Sequence, residues 1–216
     1  VVPISAGRHI YKREPSFPIA VACDPAFNFV YEANIRYLHH LGEVTYFSPL
    51  ADTSLPDVGF VYLPGGYPEL YLAALSANRQ MLQSIRRYVE SGGKLLAECG
   101  GMMYLCDEIR DKNGDVYPMA GVLHQSATME NMKLRLGYRT LLYNETRLKG
   151  HEFHYSRLVE QQNPLPSCAV AYTAKGVETD TPLYHYKNVW AGYTHLYWAD
   201  PVGNEWFTKF VIDGNT

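Results

Sequence analysis

The stretch that most constrains this chain runs Lys94-Leu95-Leu96-Ala97-Glu98-Cys99-Gly100-Gly101-Met102-Met103-Tyr104-Leu105. Its first part is apolar enough for a buried strand, its Cys-Gly-Gly centre forces a sharp turn, and its last part restarts as a helix. A cysteine at such a turn stands above a sheet edge with the N–H groups of the new helix beneath it, the geometry of a nucleophile elbow. The helix N-terminus is expected to favour the thiolate, the reactive form. Gly100 and Gly101 let another backbone approach and leave N–H groups free to face a developing oxyanion.

A chain of 216 residues that is 47% hydrophobic can bury a full core, and one large domain is the expectation. Residues 1–18 mix charge, Gly and Pro without periodicity. They read as a linker or the tail of a preceding domain, as in a domain excised from a longer polypeptide, with the folded domain over 19–216. A net charge of −3 with no run of Lys or Arg argues against nucleic acid as a partner. No apolar run reaches the roughly 20 residues of a membrane helix, and no signal-peptide core is present, so a soluble, cytoplasmic protein is expected. Cys23, Cys99, Cys106 and Cys168 form no CxxC pair and no metal-ligand spacing, and are read as free thiols.

Ile19 to Ala22 reads as a buried strand, Tyr31 to Leu41 as a helix stopped by Gly42, Val44 to Phe47 as a second strand and Phe60 to Leu63 as a third. The third runs into Pro64-Gly65-Gly66-Tyr67-Pro68, with Pro68 placed to open helical segments that Gly92-Gly93 end. Lys94 to Ala97 is the fourth strand. The Gly65-Gly66 and Cys99-Gly100-Gly101 turns therefore lie at the C-terminal ends of parallel strands, where open α/β sheets bind ligands, and are expected to face one another. After Asp107 long helical periodicity disappears. Asp111 to Asp115 signals a hairpin, and strands are expected at Tyr138 to Tyr143, Gly150 to Val159, Ala169 to Thr173, Leu183 to Tyr186 and Val189 to Leu196, before a closing helix from Asn204 to Ile212.

Most cysteines are inert and buried, and that reading holds for Cys23, Cys106 and Cys168. The strand, paired glycines and helix around Cys99 reverse it there. A thiol nucleophile needs a base. His9, His39, His40, His124 and His185 have no distinguishing context. His195 ends a late strand beside Gly192, and His154 lies in Gly150-His151-Glu152-Phe153-His154-Tyr155-Ser156, where alternation puts Glu152 and His154 on one face and His151, Phe153 and Tyr155 on the other. On pattern alone either His195 or His154 serves. Gly93-Lys94 is no phosphate loop, because Leu95 stands where Ser or Thr belongs and the pair precedes a strand. His151, Glu152 and His154 lack a third ligand nearby, so no metal is expected. Glu69 and Arg157 are charged and near these motifs, with solvated surface roles given at least equal weight.

Ala97 to Leu105, Leu63 to Glu69 and Gly150 to Ser156, three motifs in order, closely resemble the C-terminal glutamine amidotransferase domain of the cobyrinic acid a,c-diamide synthase family. The likeness covers about Ile19 to Asp200. It implies an α/β fold of the class I glutamine amidotransferase (flavodoxin-like) type, a parallel-to-mixed sheet flanked by helices, with 19–216 as the amidotransferase domain. It implies Cys99 as nucleophile and His195 as base, and so decides between the two histidines. N–H groups of Gly65, Gly66 and Gly100 would face the oxyanion and substrate, and Glu152 and His154 are candidates for supporting positions. Many class I glutaminases carry a glutamate two residues after this histidine; here Tyr197 stands there, which implies a Cys–His dyad. The implied substrate is glutamine. The implied partner is an N-terminal synthetase domain that uses ATP and Mg²⁺ to amidate corrinoid carboxylates in cobalamin biosynthesis, with no cofactor on the present residues. The rivals are an amidotransferase domain for another tetrapyrrole, a cysteine hydrolase on the same elbow and a non-catalytic docking domain.

Overall fold

The computed structural model describes residues 17–213. From Phe17 to Leu105 the chain alternates strand and helix: β1 (Phe17–Ala22), α1 (Glu32–Leu41), β2 (Gly42–Phe47), β3 (Phe60–Leu63), a 3-10 turn (Pro68–Leu70), α2 (Leu72–Ala77), α3 (Arg79–Glu90), β4 (Lys94–Glu98) and α4 (Gly100–Leu105). β1 begins at Phe17, two residues before the expected start; the rest of the expected linker lies outside the described residues. Local chemistry accounts for these elements. α3 buries Met81, Leu82, Ile85 and Val89 along one stripe, and the Asn78 side chain caps it by accepting the Met81 N–H at 3.3 Å. It ends where Gly92 takes φ +92°, a conformation that favours glycine.

The remainder is mostly antiparallel: β5 (Glu108–Arg110), β6 (Val116–Pro118), β7 (Ser126–Thr128), β8 (Arg135–Tyr143), β9 (Thr146–His154), β10 (Arg157–Leu158), β11 (Val170–Thr173), β12 (Glu178–Thr179), β13 (Leu183–Tyr186), β14 (Val189–Gly192) and β15 (His195–Leu196), then α5 (Pro201–Thr208) and a π-helical turn (Lys209–Asp213). β8 and β9 form a long hairpin turned at Asn144 and Glu145, with φ +44° and +66°. Positive φ at both central residues matches the twist of the flanking strands.

Three sheets result. The main one has the order β13-β14-β4-β3-β1-β2, parallel except for β13, and its β2-β1-β3-β4 core is the flavodoxin-like order. The others have the orders β12-β11-β8-β9-β15 and β10-β7-β5-β6. Alternate residues of the main sheet feed two cores. Ala20, Val61, Leu63, Leu95 and Ala97 meet α3 and α4, while Ile19, Val21, Phe60, Tyr62 and Leu96 meet the aromatic side chains of α5 and the Trp190 and Trp198 rings.

The segment expected as one strand, Val189 to Leu196, is two strands in two sheets. β14 runs parallel to β4, and after Tyr193-Thr194 the chain crosses to pair β15 with β9. Gly192 permits this bend, since a side chain there would come within 2.8 Å of the Pro182 carbonyl. Gly150 to Val159 likewise divides, at Tyr155-Ser156, into β9 and β10. The closing helix starts at Pro201, three residues before its expected start. The Asp200 side chain caps it by accepting the Gly203 N–H at 2.7 Å, and Pro201 opens its first turn.

Candidate active site

Cys99 sits between β4 and α4 with φ +49° and ψ −106°, a backbone region a non-glycine residue occupies only where the surroundings hold it. Its N–H donates to the Gly192 carbonyl of β14 at 2.7 Å and its carbonyl accepts the Met103 N–H at 3.0 Å, so the neighbouring strand and the new helix clamp it. The two glycine turns face one another as expected. A side chain on Gly100 would stand 2.8 Å from Pro68 Cδ and 3.2 Å from the Gly66 nitrogen, and one on Gly101 would strike the Leu63 carbonyl. The turn after β3 is fixed from the loop after β1, where Phe29 N–H donates to Gly65 and Tyr67 N–H to Ala26, both at 3.0 Å.

The thiol is not held as a thiolate. Burial pushes Cys99 up to about 12, the Glu69 carboxylate adds to this, the Gly100 N–H opposes it, and Glu98 and Glu152 raise it further. This corrects the sequence expectation: one short helix N-terminus is outweighed by desolvation and three carboxylates. The cavity at the sulfur is about 20 Å³, lined by Gly66, Tyr67, Glu69, Phe153, His154 and Ser156 among others. It is too small for a glutamine side chain as it stands, and Tyr67, Phe153 and Tyr155, all partly exposed, form its outer walls. Glu69, given at least equal weight as a surface charge, is half-buried in that lining.

His195, on β15, lies directly across from His151 of β9. A side chain on Gly65 would stand 2.1 Å from Cε1 of His195, so the imidazole abuts the glycine turn by its Cε1 edge. The ring is 3% exposed, and burial, with His151 and His154 nearby, lowers it to about 3. Its Nδ1 is 4.0 Å from Glu98 Oε2. Glu98 is itself buried, accepting the Tyr62 hydroxyl at 2.6 Å and the Leu196 N–H at 3.0 Å. Burial pushes its carboxyl up to about 8 against the pull of those bonds. Asn34 of α1 secures the same segment, donating to the Leu196 carbonyl at 2.8 Å and accepting the Trp198 N–H at 3.0 Å.

His154 reaches the site from β9 and lines the Cys99 cavity. Its Nδ1–H donates to the Ser156 carbonyl at 2.9 Å, and its ring stacks on Tyr193 at 3.8 Å. Nε2 is buried and has no protein partner among the described residues. As alternation predicts, Glu152 shares its buried face. Glu152 meets Arg139 of β8 at 2.7 Å, a buried charge contact off the axis of an N–H bond. Both Glu152 and His154 also line an adjoining cavity of about 550 Å³ with Gln125, Arg135, Tyr184 and Tyr193. On the opposite face His151 bonds the Tyr31 hydroxyl at 2.6 Å and lies 5.3 Å from the His195 ring.

The other candidates lie elsewhere. His39 and His40 end α1, His124 lies beside Asp107, and His185 stacks on Trp190; His9 is outside the described residues. Cys106 is wholly buried at the far end of α4, Cys23 is exposed, and Cys168 bonds the Leu183 carbonyl. Lys94 offers nothing to a phosphate, since its Nζ donates to the Val211 and Ile212 carbonyls at 2.7 and 3.1 Å. Among the described residues no helix is long and apolar enough to cross a membrane, and no group of three or more His, Cys, Asp or Glu is arranged to hold a metal. Glu98, Tyr31 and Asn34 went unnoticed in the sequence. Two had a signal: Glu98 is a charge in an otherwise apolar strand, and Asn34 is a polar residue on the buried stripe of α1.

Residues 18–202 match the family model described as the CobB/CobQ-like glutamine amidotransferase domain. The chain is 40% identical over 185 residues to hydrogenobyrinate a,c-diamide synthase of Pseudomonas aeruginosa, covering 83% of this chain and 41% of that protein. It is 38% identical over 210 residues to cobyrinate a,c-diamide synthase of Clostridium acetobutylicum, covering 93% and 46%. The chain thus spans less than half the length of these curated relatives. Among solved structures, a chain of PurLQS from Thermotoga maritima has a TM-score of 0.61 at 16% identity, covering 93% of this chain and 100% of that one. A glutamine amidotransferase has a TM-score of 0.58 at 16% identity, covering 89% and 98%. These two share the fold. With its elbow cysteine, facing glycine turn and flavodoxin-like sheet, this chain belongs to the CobB/CobQ-like glutamine amidotransferase domain family.

Proposed function

We propose that this chain is the glutaminase part of a corrinoid a,c-diamide synthase, with Cys99 as nucleophile and His195 as its base. The observation that carries the reading is the positive-φ Cys99 elbow packed on the Gly65-Gly66 turn, with the His195 ring against the same turn. Cys99 Sγ attacks the side-chain amide carbon of glutamine, and the N–H groups of Gly66 and Gly100 hold the resulting oxyanion. Burial keeps both the thiol and the imidazole neutral at rest. The thiol proton therefore moves to His195 as the S–C bond forms and negative charge passes to the oxyanion. His195 then returns that proton to the nitrogen as the C–N bond breaks and ammonia leaves. Water cleaves the thioester, releasing glutamate and restoring the thiol.

The ammonia is used elsewhere. Relatives named for the cobyrinate and the hydrogenobyrinate reaction match at the same 40% identity, which supports a corrinoid acceptor with peripheral carboxylates. ATP and Mg²⁺, implied by the resemblance, would activate those carboxylates on residues outside this chain, which spans less than half the length of its relatives. One observation favours a second reading, with His154 as the base: it lines the Cys99 cavity, as His195 does not, and its Nε2 is buried without a hydrogen-bond partner among the described residues.

The test is release of glutamate from glutamine, with an electrophilic glutamine analogue used to label the protein and the site mapped. The label is expected on Cys99, and Cys99→Ala should lose turnover by at least about 10⁴-fold. A label on Cys106, or glutamine turnover at the parent rate in Cys99→Ser, refutes the proposal.

A further inference from the structure

Glu98 ends β4 immediately before the nucleophile, in a strand whose neighbours Leu95, Leu96 and Ala97 are apolar and buried. A carboxylate 2% exposed at that place is costly unless it has work to do. Both its oxygens are held in position, Oε2 by the Tyr62 hydroxyl at 2.6 Å and Oε1 by the Leu196 N–H at 3.0 Å. Each oxygen can accept a second bond. The group facing Oε2 at 4.0 Å is Nδ1 of His195, a buried nitrogen without a hydrogen-bond partner among the described residues. Two residues beyond His195, where many class I glutaminases place a glutamate, stands Tyr197, whose ring meets Tyr31 at 5.7 Å.

We propose that Glu98 is the positioning carboxylate of the site, accepting a hydrogen bond from Nδ1–H of His195 so that Nε2 is left free to take the Cys99 proton. The carboxylate thus comes from the strand before the nucleophile instead of from the strand that carries the histidine. An approach of about 1 Å brings the pair to hydrogen-bond length. The bond fixes the tautomer and steadies the imidazolium that forms during attack. This inference rests on His195 being the base.

The protonation state of Glu98 decides the direction of the bond. As a carboxylate it accepts from Nδ1–H; as an acid it donates to Nδ1 and places the ring proton on Nε2, the wrong side for a base. The titratable groups facing the pair are Tyr62 from β3, Tyr31 at the start of α1, His151 and His154 from β9, and Cys99 with Glu69 at the elbow. Burial pushes Tyr31 and Cys99 to about 12 and Tyr62 higher, and lowers the three histidines. Glu98, pushed up to about 8, is the group that changes charge in the working range.

The experiment measures kcat and KM for glutamine from about pH 6 to about pH 10 in the parent, Glu98→Gln, Glu98→Asp and His195→Asn, together with imidazole nitrogen shifts in ¹⁵N-histidine-labelled protein. The parent kcat/KM should rise with pH through a limb near 8. Glu98→Gln should lose that limb and about 10²–10⁴-fold in kcat, with KM within about threefold. Glu98→Asp should keep a limb and recover part of the rate. The His195 signal, identified by its loss in His195→Asn, should report Nδ1–H in the ionised parent and a mixture in Glu98→Gln. Parent kcat and an unchanged pH profile in Glu98→Gln overturn the proposal. So does a parent His195 protonated on Nε2 above the limb, which decides the matter even where Glu98→Gln does not fold. Parent activity in His195→Asn overturns the base assignment itself, whereas loss there with Glu98→Gln unaffected removes only the role of Glu98.

Discussion

The segment from Phe17 to Leu105 and the segment from Glu108 to Leu196 both reach the site, but they place their side chains by different means. The first holds Cys99 at a strand–turn–helix junction whose glycines pack on β3 and the turn that follows it, with one tie to the second segment through the Gly192 carbonyl. The second places His151, His154 and His195 through cross-strand register in an antiparallel sheet whose partners are far apart in sequence. A strand slipped by one residue turns every side chain to the other face. In the antiparallel segment the site therefore depends on pairing, and on devices such as the Asn34 clip and the Arg139–Glu152 pair that hold it.

The sharpest way to break this comparison is to exchange the two histidines that the second segment brings to the first. His195→Asn should lower kcat by about 10²–10⁴-fold, and His154→Asn by less than about tenfold, read from glutamate release at saturating glutamine. Reversed effects would move the base to β9. Arg139→Ala should cost about 3–5 kcal/mol of stability in urea unfolding, because it leaves the Glu152 charge buried and alone. A loss confined to activity would mean the pair acts on chemistry rather than on register.

In the first segment, Gly66→Ala puts a methyl against the Ala26 carbonyl at a φ of +156°. The turn must shift and misalign its N–H, with turnover expected to fall about 10²–10³-fold while KM changes little. Asn34→Ala, which strands the Leu196 carbonyl and the Trp198 N–H, should cost about 1–3 kcal/mol.

The smallest effect concerns pH. His195 is held at about 3, below its unfolded value, so the unfolded chain binds the proton first. Its contribution is fully present above the unfolded value near 6.5 and is lost as pH falls from there toward 3. Urea midpoints in that window should decline less steeply in His195→Asn than in the parent; equal slopes would mean that His195 is not buried in its neutral form.

Much of the first segment was legible because its cues are local. Phe60–Leu63 and the strand before Cys99 are apolar runs bounded by glycine turns, and α3 carries its stripe and cap in twelve consecutive residues. The thiol's protonation was misjudged for the opposite reason. Glu69 and Glu152 lie far from Cys99 in sequence, and the desolvation that outweighs the helix N-terminus exists only once the chain is packed. The division of Val189 to Leu196 between two sheets was hidden in the same way, since both pieces are apolar enough for one strand and only their separate partners, β4 and β9, pull them apart.

By itself the sequence determined the elbow: a strand, Cys-Gly-Gly and a helix in twelve residues leave one way for the backbone to turn, and glycines at 65 and 66 supply the facing surface. Only the tertiary structure decided what surrounds the sulfur. Sheet closure carries His195 onto Gly65 and brings it beside Glu98, it puts His154 in the thiol's cavity, and it removes the water that would help to stabilise a thiolate. Bond geometry within a turn is set by neighbours along the chain, whereas burial and cross-strand register belong to the whole fold.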